Sequence, residues 1–221
     1  MFQFDAPSNP GSGDADFAGA WEEQLAAGID SSHIGESKFI FRAGQEPKIA
    51  LLRAGVVRIF VAPQVGRQLT IGYGRVGDLI GVAPSLACAD DWNAEAITDV
   101  DVAVLTLDDL NRTAAQHPDL PWRIAQHVAT CTTEALRTLA NDAGQPMKVR
   151  IARHLREVSV RAPDGRLVAH ITRQRLANAS GTVREVVSRE LKLLRADHVI
   201  GTAAGSVTVL DEGRLTSIAA G

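Results

Sequence analysis

The chain has 221 residues, 45% hydrophobic and 22% charged, a composition that excludes a collagenous or wholly disordered protein and leaves room for two ordinary domains. Its formal charge of −3 hides an asymmetry. Residues 1–146 carry 10 Lys/Arg against 19 Asp/Glu, a balance of −9, whereas residues 147–221 carry 13 against 7, a balance of +6, so a phosphate-rich partner is to be sought in the basic part.

Residues 1–16, MFQFDAPSNPGSGDAD, are acidic and rich in Gly, Pro and Ser, and are expected as a disordered tail rather than a basic-then-apolar targeting segment. No apolar run approaches the ~20 residues of a membrane span, so a cytoplasmic protein is expected. In DFAGAWEEQLAAGI, Phe17, Trp21, Leu25 and Ile29 recur at steps of four, which predicts a short leading helix. From Lys38 to Leu107 the texture changes to short β-rich runs punctuated by glycine: KFIF, IALLRAGVVRIFV, GRQLTIGYGRVGDLIG and AEAITDVDVAVLTL. Strands at this spacing predict a sandwich, barrel or roll. Cys88 and Cys131 form no CxxC and are expected as reduced, buried thiols rather than zinc ligands or a disulfide.

DDLNRTAAQHP opens with an Asp able to cap a short helix, which Pro118 ends. Asp119 can cap the next helix, whose Ile124, Val128, Cys131, Ala135 and Leu139 form one apolar stripe that needs cover from the β domain, a partner chain, or both. AGQP at 143–146 ends it and marks a hinge where the charge changes sign. MKVRIARHLREVSVRA, 147–162, predicts a further helix, followed by the turn PDG and a strand LVAHI.

Thr172 can cap a helix running to about Ala179, and Gly181 suits the turn that follows, since glycine takes positive φ without steric cost. Thr182-Val183-Arg184-Glu185 matches a capping box for a second helix. On it Val183, Val186, Val187, Leu191 and Leu194 fall on one side, and Arg184, Glu185, Ser188, Arg189 and Lys192 on the other. IGTAAGSVTVL predicts a hairpin around Ala204-Gly205, which completes the layout of a winged helix-turn-helix. An Arg fork can donate twice to guanine and Glu can accept from cytosine, so the polar side has the chemistry to read base edges as well as the simpler role of a solvated face. HxxxH, HExxH and GxxxxGK are all absent, and no enzyme is expected.

At these residues the chain resembles the Crp/Fnr family of bacterial transcription regulators. ITRQ, G-x-x-RE-x-V-x-R and L-K-x-L carry the resemblance in the C-terminal part, and HPDLPWRIAQHVATCTTEALRTLAN with FRAGQEP and GRVGDLIG extends it backwards. It implies an α+β fold: a cyclic-nucleotide-binding-like β-roll over 17–118, a dimerisation helix over 119–143 and a winged helix-turn-helix DNA-binding domain over 144–221. It also implies a homodimer on palindromic double-stranded DNA, with RNA polymerase as a further partner and no membrane. Arg184, Glu185 and Arg189 would read bases, with a half-site similar to TGTGA, while Thr172, Arg173, Thr182 and Ser188 would contact phosphates. Lys192 extends the same face.

The resemblance breaks at the effector pocket. Gly81 remains, but Val82 stands where the cyclic-nucleotide members carry a ribose-binding Glu, and Trp92-Asn93 stand where they carry Arg-Ser for the cyclic phosphate. On the long helix Ala135 and Leu136 replace the hydroxyl residues that touch adenine. With no cation in the pocket and Asp90 and Asp91 beside it, cyclic AMP is not expected as a strong effector. Residues 34–107 contain no His for a haem, and the N-terminus has no cysteine cluster for an iron–sulfur centre, so neither cofactor is expected. The alternative is an effector- or redox-responsive sensor, through Cys131 in the redox case, whose winged helix mainly mediates protein interaction.

Overall fold

A computed structural model describes residues 22–46, 48–62, 68–142 and 144–221. The tail at 1–16, Phe17 and Trp21 of the leading helix, and Ala143 at the hinge lie outside the described residues. Of the leading helix, one turn of π-helix is seen at Glu22–Ala26, with Leu25 and Ala26 buried.

The β-rich region forms two four-stranded antiparallel sheets. Strands β1 (Ser32–Ile34), β3 (Ile49–Ala54), β6 (Leu79–Ile80) and β8 (Val100–Leu105) make one, in the order β1-β8-β3-β6. Strands β2 (Phe39–Phe41), β4 (Val57–Val61), β5 (Leu69–Gly74) and β7 (Trp92–Ala96) make the other, in the order β2-β7-β4-β5. Ala50, Leu52, Val57, Ala94, Val100 and Val102 share one buried cluster, so side chains of both sheets close the roll over a common core. A short helix, α1 (Val82–Ala87), interrupts the strands after Gly81.

Helix α2 (Leu107–Gln116) starts two residues earlier than a cap at Asp108 would give. Thr106 is its N-cap, in a reciprocal box with Asp109, because a hydroxyl and a carboxylate three residues apart satisfy each other's backbone amides. Helix α3 (Leu120–Asp142) runs 23 residues, about 35 Å at ~1.5 Å each. Leu120, with Ile124 and Val128 of the stripe, packs on Ile49, Leu51, Leu79 and Leu105 of the roll. Beyond them the helix leaves the core of the chain: Ala135 and Leu139 are half-buried, and Leu136 is 62% exposed, as is Trp122 to 69% near the helix start. Cys88 and Cys131 are both solvent-exposed, against the expectation of burial, because one ends α1 and the other lies where α3 has passed the core.

In the C-terminal part, helix α4 (Met147–Val158) stops four residues before the predicted end. Ser159–Arg161 is instead strand β9, paired with β10 (Leu167–Ala169), because the backbone of SVR finds an antiparallel partner across the PDG turn. Helices α5 (Arg173–Ala179) and α6 (Arg184–Ala196) follow, then the hairpin β11 (Ile200–Ala203) and β12 (Ser206–Val209). The hairpin extends the small sheet to β11-β12-β10-β9. The sequence reading missed a last helix, α7 (Glu212–Ala220), capped by Asp211, whose carboxylate accepts from Arg214 N at 2.8 Å; Leu215 and Ala219 are its buried residues. Its signal was there to be read: an Asp cap followed by apolar residues at 215, 218 and 219.

Candidate nucleic-acid interface

The turn between α5 and α6 is built by backbone bonds. Thr172 caps α5 by accepting from Arg175 N at 3.2 Å, and Ala177 O, near its other end, accepts from Thr182 N at 2.9 Å. Gly181 sits between at φ +61, the left-handed region that glycine adopts freely. The bond to Ala177 holds Thr182 inside the turn, so α6 begins one residue later than a Thr182 cap would place it. Val183 is the N-cap, without a side-chain bond, and the expected capping box does not form. Val183 is consequently 47% exposed rather than on the buried side. Glu185, released from capping, faces solvent.

Burial of Val187, Leu191 and Leu194 fixes the roll of α6 about its axis, which leaves Arg184, Glu185, Arg189 and Lys192 exposed and Ser188 half-exposed. Arg189 is held by Glu190 at 3.0 Å. Arg173 and Arg184 line a groove between α5, α6 and the hairpin, and Arg195 joins them there, with Thr172, Thr202 and Ser206 alongside and no carboxylate in its walls. None of these three arginine side chains makes a hydrogen bond or ion pair among the described residues, whereas Arg161 is paired with Glu212 and Arg166 with Asp164. Sequence reasoning missed Arg195, although its signal was present. It lies eleven residues after Arg184, three helical turns on nearly the same side.

The candidate effector residues go to other tasks. Gly81 has φ +80 and starts α1, Val82 is buried in the cluster that joins Leu120 and Ile124 to the roll, and Trp92 is packed on the core of the roll. Asn93 Oδ1 accepts from Ala43 N at 3.2 Å and its Nδ2 donates to Phe60 O at 3.5 Å. Ala135 and Leu136 stand further along α3 than the helix residues of that cluster.

On α3, the His127 ring donates from Nε2 to Leu79 O at 2.7 Å, since a carbonyl can only accept. Cys131 Sγ lies 3.7 Å from the same nitrogen. Surrounding protein, and then the carboxylates of Glu134 and Asp78, push the Cys131 thiol up to about 12, although the residue reaches solvent. Such a thiol carries little thiolate at neutral pH. Among the described residues there is no group of His, Cys, Asp and Glu able to hold a metal ion, and no helix is long and apolar enough to cross a membrane.

A β-roll carrying a long helix and a winged helix-turn-helix with an open cationic groove defines a DNA-binding regulator of transcription. The Crp-like helix-turn-helix domain matches residues 149–218, and the cyclic nucleotide-binding domain matches residues 33–117. The transcriptional regulator SdrP of Thermus thermophilus is 30% identical over 169 residues, which cover 75% of this chain and 80% of that protein. The global nitrogen regulator of Synechocystis is 25% identical over 182 residues, covering 78% and 81%. A crystal structure of a CRP-family transcriptional regulator from Thermus thermophilus superposes with a TM-score of 0.70 at 26% identity, covering 86% of this chain and 97% of that one. The chain belongs to the Crp/Fnr family of transcription regulators.

An Arg195→Gln variant is expected to bind every duplex more weakly by a similar factor and to lower the slope of log K against log salt by about 1, as loss of one phosphate contact requires. Titration by fluorescence anisotropy at several salt concentrations checks this; an unchanged slope places Arg195 off the DNA.

Proposed function

We propose that the protein binds a palindromic DNA site as a homodimer, with α6 in the major groove. Arg184, Glu185 and Arg189 read base edges of a half-site similar to TGTGA; Thr172, Arg173, Thr182 and Ser188 hold phosphates, and Lys192 adds charge on the same face. The observation that carries this reading is the groove in which Arg173, Arg184 and Arg195 stand exposed without a carboxylate partner. Folded proteins usually pair or solvate such charges singly; three converging on one polar groove suit a polyanion. Arg189 reaches a base after exchanging Glu190 for it.

The dimer seam is the outer stripe of α3. Trp122 and Leu136 stand exposed, and Cys131, Ala135 and Leu139 follow Ile124 and Val128 along the helix as the roll withdraws. A two-fold pairing there places two copies of α6 about one helical turn of DNA apart. Control by cyclic AMP does not suit the pocket, in which Val82 is consumed by the core and Asn93 by backbone groups, while Trp92-Asn93 stand in sequence where the resemblance places the family's arginine. Redox control through Cys131 is disfavoured by the raised thiol.

The test is binding to a palindromic duplex with TGTGA half-sites, against scrambled competitor, together with sedimentation of the free protein. A dimer whose preference for the palindrome survives at physiological salt, with steep salt dependence, supports the reading. Binding that is equal on both duplexes sinks it and leaves the protein-interaction alternative.

A further inference from the structure

The helix-turn-helix does not hang from its linker alone. Arg175, on α5 facing away from the cationic groove, is inserted into the roll: its Nη1 donates to Glu36 Oε1 at 2.9 Å, and its Nη2 donates to Ala96 O at 3.0 Å and lies 3.3 Å from Glu95 Oε1. From the other side the roll caps the end of the same helix. Arg58 Nη2 donates to Asn178 O at 3.3 Å, and Thr70 Oγ1 donates to Ala179 O at 3.0 Å while accepting from Arg58 Nε at 2.9 Å. Carbonyls at a helix end have no partner within the helix, so donors from a second domain hold that end at a definite place and angle. Arg58 also lies 3.8 Å from Glu95, which joins both arginines to one carboxylate.

The seam is dry. The side chains of Arg58, Glu95 and Arg175 are 3%, 14% and 15% exposed, and Val56 and Ile97 of the roll enter the same buried cluster as Leu155 and Leu176 of the DNA-binding domain. Tyr73 of β5 adds a hydrogen bond to His154 Nδ1 of α4 at 3.0 Å. Buried charges paired in this way are costly to break singly, because the remaining partner is left desolvated. The seam engages α5 at Arg175 and at its C-terminal carbonyls, while Arg184, Glu185, Arg189 and Lys192 of α6 remain exposed. Docking therefore orients the reading face without covering it.

We propose that Arg175 and Arg58 are positioning residues for DNA recognition: they clamp α5 to the roll of their own protomer and thereby set the direction in which α6 is presented. This rests on the DNA-binding reading above. A swing of the DNA-binding domain about its linker at 144–146 has to break Arg175 away from Glu36 and Glu95, and Thr70 and Arg58 away from the end of α5. The seam is thus the element that any reorientation of the DNA-binding domain has to loosen.

The experiment compares wild type with Arg175→Gln, Glu95→Gln, their double variant, and Thr70→Val, which keeps the shape and removes the hydroxyl from the seam. Each full-length protein is titrated against the preferred palindrome and a scrambled duplex, with a thermal melt for the folded fraction. The expected result is that Arg175→Gln and Thr70→Val weaken palindrome binding about tenfold while scrambled binding changes less than about twofold, and that the double variant is no worse than its worst single parent. A merely structural role lowers the active fraction and moves both duplexes equally, so equal losses overturn the proposal. Unchanged or tighter palindrome binding by both variants overturns it too. Wild type without preference for the palindrome defeats the DNA reading itself, before any variant is compared.

Discussion

An Arg184→Ala variant is expected to lose about 1 to 3 kcal/mol of affinity for the preferred site and to relax selectivity at one base position. The side chain stands on the first turn of α6, exposed and without a partner among the described residues, so its removal neither opens a cavity nor strands a buried charge. Thermal stability should stay within about 0.5 kcal/mol of wild type, as for an ordinary surface substitution. Selection of bound DNA from a randomised pool, run on both proteins, is the measurement. Uniform weakening with the base preference intact would instead make Arg184 a phosphate ligand.

Gly81→Ala is expected to destabilise the fold by about 3 kcal/mol, through left-handed strain and overpacking together. Gly81 has φ +80, and a Cβ there would lie 2.0 Å from Lys48 O and 3.2 Å from the Phe41 ring. Lys48 O cannot withdraw cheaply, because the following residues Ile49 and Ala50 are locked into β3, with Ala50 opposite Ile80. Gly72→Ala is the control: nothing lies within 4 Å of the added carbon. Urea unfolding should show the Gly81→Ala midpoint falling with an unchanged slope and the Gly72→Ala midpoint changing little. A loss below about 1 kcal/mol at Gly81 would show that the backbone relaxes there. The retained glycine of the pocket is thus explained by a backbone crossing, with no ligand needed.

Where the sequence reading succeeded, local chemistry and tertiary packing agreed. Thr172, Gly181 and the Val187, Leu191, Leu194 spacing each specify a cap, a turn or a buried face within one or two helical turns, and the structure uses all of them. The glycine-punctuated strands of the roll were legible for the same reason. The reading erred where a backbone partner outside the predicted element competed. A hydrogen bond from Thr182 to Ala177 displaced the capping box, and pairing with β10 turned Ser159–Arg161 from helix to strand. Cys131 was expected as a buried thiol for want of a metal or disulfide pattern, but α3 outruns the roll and leaves the residue exposed.

The sequence by itself determined the two-domain order, the sign of charge in each part, and the polar face of α6, because composition, turn chemistry and a 3.6-residue period are local properties. Tertiary structure alone decided which charges are available. Arg161, Arg166, Arg173, Arg175, Arg184, Arg189 and Arg195 look equivalent in a charge count, yet Arg175 is spent on Glu36 and Glu95, and Arg161, Arg166 and Arg189 face carboxylates. Only Arg173, Arg184 and Arg195 of these converge unpaired on the groove. Arg166 and Arg189 find carboxylates one or two residues away, but Arg161 meets Glu212 across 51 positions and Arg175 meets Glu36 across 139, distances that no short window of sequence contains.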